Sequence, residues 1–168
     1  MAEGRKFWGA WLPVFIWLAV LAVETSDVGS SAHTGALLLK VWTALLGRPH
    51  PHTFDLVHHL IRKTGHFLGY AILSGLIFRA VRATWRNRSQ AFVRTREYFW
   101  QLRWAVLGIV GTAVVASLDE IHQTFNPART GRWQDVVLDF CGALTMQLIL
   151  YIVLLSRSHK VEPQLSVP

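Results

Sequence analysis

Lys63, His66 and Tyr70 recur at i, i+3 and i+7, the spacing that lines side chains along one helical face. An ammonium, an imidazole and a phenol on one face offer a cation, a proton carrier and a hydroxyl. Two acidic groups lie further along the chain. Asp119 and Gln123 are i, i+4, with Glu120 and His122 beside them, and Asp135 and Asp139 are again i, i+4, with Gly142 continuing their face.

These residue types can do three kinds of work. Asp119, Glu120, His66 or His122 can serve as general acid or base, since burial and neighbours tune such groups. Lys63, His66, Tyr70, Asp119, Glu120, Gln123, Arg129, Asp135 and Asp139 can together hold a polar ligand. Arg129 lies in the turn-forming run Asn126–Pro127–Ala128–Arg129–Thr130–Gly131, where its guanidinium suits a phosphate or carboxylate. The third possibility is structural: Lys63 and Arg129 neutralise Asp119, Asp135 and Asp139 and clamp helices together. No nucleophile elbow or recognised metal spacing is present, because Glu120-x-His122 falls short of H-E-x-x-H. Neither a metal set nor a cofactor is expected, and His50 and His52 read as solvated loop residues.

The elements that must carry these groups are apolar. Hydrophobic residues make up 52% of the 168, charged residues only 16%, and mean hydropathy is +0.31. Soluble domains carry more charge. One domain of four membrane spans is predicted, at about 7–23, 64–81, 98–118 and 136–155, within a single unit 1–160 and followed by a tail at 161–168. The first run ends without a small-x-small cleavage site and reads as an uncleaved helix, with Pro13 tolerated inside it. Gly35–Gly47 is apolar but too short to cross, and is expected to be a short interfacial helix. The fold class is therefore all-α, an integral membrane bundle of four transmembrane helices plus that interfacial helix.

Charge orients the bundle. With both termini cytoplasmic, eleven of the seventeen Lys and Arg fall on the inner side, as the positive-inside rule requires. Seven of the ten acids then lie on the outer side or just inside the membrane there. All three polar clusters reach that same outer level. The net charge of +7 is assigned to lipid headgroups, so nucleic acid is not an expected partner whereas membrane lipids are. The eight Trp residues read as an interface belt. The single Cys141 permits no internal disulfide.

The pattern R-K-x-x-H-F-x-x-Y-x-x-L at 62–73, S-L-D-E-x-H-Q-x-F-x-P-x-R-T-G at 117–131 and D-x-x-x-D-x-x-G at 135–142 resembles the VanZ-like family of small membrane proteins. The family's founding member is associated with resistance to the glycopeptide teicoplanin. The resemblance implies a helical membrane bundle in a bacterial-type inner membrane. Its motif falls here on Lys63, His66, Tyr70, Asp119, Glu120, Gln123, Pro127, Arg129, Asp135, Asp139 and Gly142. The implied role lies in cell-envelope physiology or antibiotic tolerance, by binding or modifying an envelope component such as a lipid-linked ligand. A structural membrane subunit is the alternative.

Overall fold

The computed structural model describes residues 2–26, 31–88, 100–125 and 132–161, with the backbone alone at 2–6, 86–88 and 157–161. The described residues form five helices: α1 (Ala2–Thr25), α2 (Ser31–Leu46), α3 (Pro51–Arg88), α4 (Leu102–Thr124) and α5 (Trp133–Val161). No strand occurs among them. Four segments are long and apolar enough to cross a membrane: Phe7–Thr25, Pro51–Trp85, Leu102–Thr124 and Trp133–Ser156. The protein is a multi-pass membrane protein of all-α architecture.

Helix ends differ from the sequence expectation in ways that matter for the site. The span expected at 64–81 is part of one continuous 38-residue helix, which absorbs the apolar turns before it. At 1.5 Å per residue α3 is about 57 Å long, nearly twice the roughly 30 Å hydrocarbon thickness. The third span starts at Leu102 rather than 98 and runs on through Asp119–Gln123 to Thr124. Tyr98 and Phe99 lie outside the described residues, as do the turn 126–131 and the tail from 162 onward. Pro13 sits inside α1 without ending it.

α3 is the central helix, packing on α1, α4 and α5. Cross-helix contacts fix the directions. Trp11 of α1 donates to Thr84 Oγ1 (3.0 Å), and further along Trp17 Nε1 donates to the Gly69 carbonyl (2.8 Å). α1 therefore runs antiparallel to α3. α4 also opposes α3, placing Trp104 against Phe78 and Asp119 against Tyr70. α5 runs parallel to α3, with Asp135 at Lys63 and Gln147 at Ser74. These two parallel helices are pressed together at Gly142. A Cβ there would overlap the Phe67 carbonyl oxygen and crowd the Ala71 amide, so only glycine permits the approach.

Below that contact lies a wholly buried polar layer. Gln147 Nε2 donates to Ser74 Oγ (2.8 Å) and to the Ser74 carbonyl (3.1 Å), and Thr112 donates to the Gly108 carbonyl within its own helix. Beyond it the core is Ile77, Phe78, Val81, Trp104 and Leu154. Trp104 is 2% exposed, so at least this tryptophan is core rather than belt. α2 packs on the first turns of α3 alone, through Thr34–His58 (3.1 Å) and the Trp42–Phe54 ring contact, and buries none of its residues. The short helix expected at 35–47 is thus longer, at 16 residues.

Candidate functional site

The groups picked out by spacing meet at one end of the α3–α4–α5 seam. Nearest the helix ends, Lys63 pairs with Asp135. One turn deeper, His66 Nδ1 faces Asp139 Oδ1 at 3.8 Å, with side chains 14% and 3% exposed. Deeper still, the Tyr70 hydroxyl donates to Asp119 Oδ2 (3.0 Å), and Gln123 Nε2 donates to the same oxygen (3.0 Å). The His66 and Tyr70 rings stack along α3, with centroids 6.3 Å apart. The i, i+3, i+7 stripe of α3 therefore meets a different partner at each step: two acids of α5, then one of α4.

Depth follows from helix rise. Lys63 to Tyr70 spans about 10 Å and Lys63 to Arg82 about 29 Å, close to the full hydrocarbon thickness. With Lys63 at one membrane surface, Tyr70 and Asp119 lie about a third of the way through, and Arg82 reaches the other surface. Ionisable groups at such depth face the bundle interior, as Asp139 does at 2% residue exposure.

The remaining candidates fall differently. Glu120 is buried, and its carboxylate accepts from the Arg132 backbone N–H, tying the end of α4 to the start of α5. His122 is exposed and points away from the seam. Arg129 and Pro127 lie outside the described residues. Among the described residues no three His, Cys, Asp or Glu side chains come together as a metal set. Cys141 is exposed on α5.

A fifth acid joins from α1. The Glu24 carboxylate lies over the glycine face of α3, where a Cβ on Gly65 would stand 3.3 Å from Oε1 and one on Gly69 3.9 Å from Oε2. Spacing alone does not single out Glu24, because no polar residue precedes it at i−3 or i−4 in α1. Gly65-x-x-x-Gly69 carries the missing signal: small residues four apart mark where a neighbouring helix approaches, and that neighbour ends at Glu24. Ser74, Thr112 and Gln147 are likewise not picked out by spacing. Each is a single polar residue in an apolar run, which is itself the available sign.

Two polar atoms of the cluster are unusual. Both His66 Nδ1 and Asp139 Oδ1 are buried and lack a hydrogen-bond partner among the described residues. Their 3.8 Å separation is an ionic contact but too long for a hydrogen bond. Buried polar groups are normally satisfied, and leaving them open is costly.

The VanZ/LLP1 family model matches residues 9–155, a stretch that contains every contact just described. The chain belongs to the VanZ/LLP1 family. Neither a curated protein nor a solved structure matches it. Within this VanZ/LLP1 protein the matched stretch covers all four apolar segments except the first two residues of the first and the last residue of the fourth, and it includes α2. It also spans Glu24 and the Ser74–Gln147 layer.

Proposed function

We propose that this VanZ/LLP1 protein binds or modifies a cell-envelope component in a polar pocket at the Lys63 end of the seam. In this reading the pocket faces the extracytoplasmic side of a bacterial-type inner membrane, with both termini cytoplasmic. The excess of Lys and Arg at the opposite end supports that orientation.

The observation that carries the reading is the open His66–Asp139 contact. A helix clamp gains most when its charges are fully bonded to each other. Here a donor or acceptor from a guest would complete both groups. Lys63 is engaged by Asp135, and the Glu120 carboxylate by a backbone N–H. Asp139 and Asp119 then offer acceptors, which suits hydroxyl or amine groups of a lipid-linked headgroup. In a modifying enzyme His66, backed by Asp139, is the general acid or base. Altered glycopeptide tolerance is one physiological outcome of acting on such a component.

The structural alternative draws on the pairs that are complete, Lys63–Asp135 and Tyr70–Asp119–Gln123. Native mass spectrometry in mild detergent separates the two, with wild type beside Asp119→Asn and Asp139→Asn. A lipid-linked headgroup carried by wild type and lost from both variants, at unchanged membrane levels, is the expected result. Identical bare masses for all three overturn the pocket. Degradation of both variants assigns the cluster to helix clamping.

A further inference from the structure

The charges of the seam do not balance below its rim. At the rim Lys63 is paired with Asp135, and the Glu120 carboxylate is held by the Arg132 backbone N–H. One turn in, Asp139 meets the His66 ring at 3.8 Å. Deeper, Asp119 accepts from the Tyr70 hydroxyl and the Gln123 carboxamide, both neutral donors. Two carboxylates thus share one imidazole, and among the described residues no lysine or arginine bonds to either. The imbalance stands without Glu24. Charge held at such depth is costly unless it is paired.

The open acceptors point to one place. Asp139 Oδ1 is buried without a hydrogen-bond partner, on a side chain only 3% exposed, and His66 Nδ1 opposite it is also buried and unbonded. A donor atom about 2.9 Å from each closes a triangle on their 3.8 Å base, so one atom can bond both. A neutral imidazole protonated at Nε2 offers Nδ1 as an acceptor. Both open atoms then need donors. A primary ammonium carries three, together with the positive charge that the two carboxylates lack. A hydroxyl has one donor and no charge, and a quaternary ammonium has the charge and no donor.

We propose, resting on the pocket reading above, that the site recognises a primary ammonium seated between His66 Nδ1 and Asp139 Oδ1. The ligand is then an amine-bearing headgroup or a free alkylamine. Asp139 lies one helical turn, about 6 Å, below Asp135, so an amine entering from the Lys63 end has only that depth to travel past the Lys63–Asp135 pair. Asp119, held by neutral donors, keeps its charge and adds to the attraction for a cation.

The test is native mass spectrometry of the purified full chain titrated with palmitoyl-oleoyl phosphatidylethanolamine, phosphatidylglycerol or phosphatidylcholine. These headgroups carry a primary ammonium, hydroxyls without a cation, and a cation without an N–H. Wild type is expected to bind phosphatidylethanolamine about tenfold more tightly than either of the others, the worth of one charge-assisted hydrogen bond. Asp139→Asn is expected to remove that preference. Free ethanolamine is titrated beside the lipids: if it takes the lipid's place the ligand is a soluble amine, and if it does not the amine is that of a headgroup. An amine-free lipid that wild type binds as tightly as phosphatidylethanolamine, and that Asp139→Asn loses, overturns the ammonium and leaves the pocket standing. Binding that Asp139→Asn does not change overturns the pocket and the ammonium together, as does no binding of any lipid or of ethanolamine. If Asp139→Asn cannot be recovered, the wild-type ranking of the three lipids decides, and equal binding overturns the proposal.

Discussion

The two ends of the α3–α4–α5 seam are built from the same three helices but from opposite chemistry. At the Lys63 end each step along α3 meets a carboxylate. At the Arg82 end Phe78 meets the Trp104 edge within the hydrophobic core, with ring centroids 6.1 Å apart. Close packing of the second kind is enough to hold helices together in lipid, where small residues and van der Waals contact drive association. Charges are not required for it, and replacing a buried ion pair by apolar residues is often neutral or stabilising. The acids and bases at the Lys63 end are thus more than cohesion alone requires, and the unbonded His66–Asp139 contact is the part of the cluster on which the proposed ligand reading rests.

The sharpest way to break the contrast is Gly142→Val. Its side chain would run into the Phe67 backbone, which cannot yield as a flexible side chain would. We expect a loss at or above the roughly 1–3 kcal/mol of ordinary overpacking, read as a lower thermal midpoint in detergent, together with loss of any bound headgroup. A fall no greater than that of a lipid-facing control such as Leu148→Val would mean the helices do not meet there.

Lys63→Met should come next. The pair is about a quarter to a third exposed, at 31% and 25%, so we expect about 1–3 kcal/mol, below the roughly 3–5 kcal/mol of a fully buried pair. Lys63→Met/Asp135→Leu should recover most of the stability but none of the ligand binding. A double variant as unstable as the single would show that Asp135 is not Lys63's principal partner.

Tyr70→Phe removes one of two donors to Asp119 Oδ2. A hydrogen bond to a charged group is worth about 1.5–3 kcal/mol, and Gln123 remains, so the lower part of that range is expected in a denaturant titration. The smallest effect belongs to Gln147→Leu in the middle of the seam. It removes two donated bonds but also a buried Oε1 with no partner among the described residues. Interhelical hydrogen bonds in membranes average about 0.6 kcal/mol, so a change under about 1 kcal/mol is expected. A larger loss would make the Ser74–Gln147 layer a second functional zone rather than a neutral one.

How much of this was readable in the residues depends on range. Local periodicity revealed the four apolar helices and the one-face stripe of Lys63, His66 and Tyr70, because side-chain direction within a helix follows from spacing alone. It also gave the i, i+4 pairs of α4 and α5. Which acid faces which base was not readable, since that depends on the height at which two helices cross, and the crossing is set by Gly142 against Phe67. The inward turn of Glu120 and the outward turn of His122 needed the rotation of α4 about its axis. The second span reads too short from sequence at Pro51–Arg62 because hydropathy falls there, although nothing breaks the helix. Glu24 escaped because its neighbours are on α3 rather than in its own sequence.

The parallel run of α3 and α5 also governs how the protein is made. A chain delivered to the membrane from its N-terminus presents Lys63 and His66 two helices before Asp135 and Asp139 appear. Through that interval α3 carries basic groups whose counter-charges are still in the ribosome or the translocation machinery. The seam closes only when the last helix enters beside α3. A nascent chain cut short after α4 therefore leaves Lys63 and His66 without their α5 acids, although Tyr70 already has Asp119.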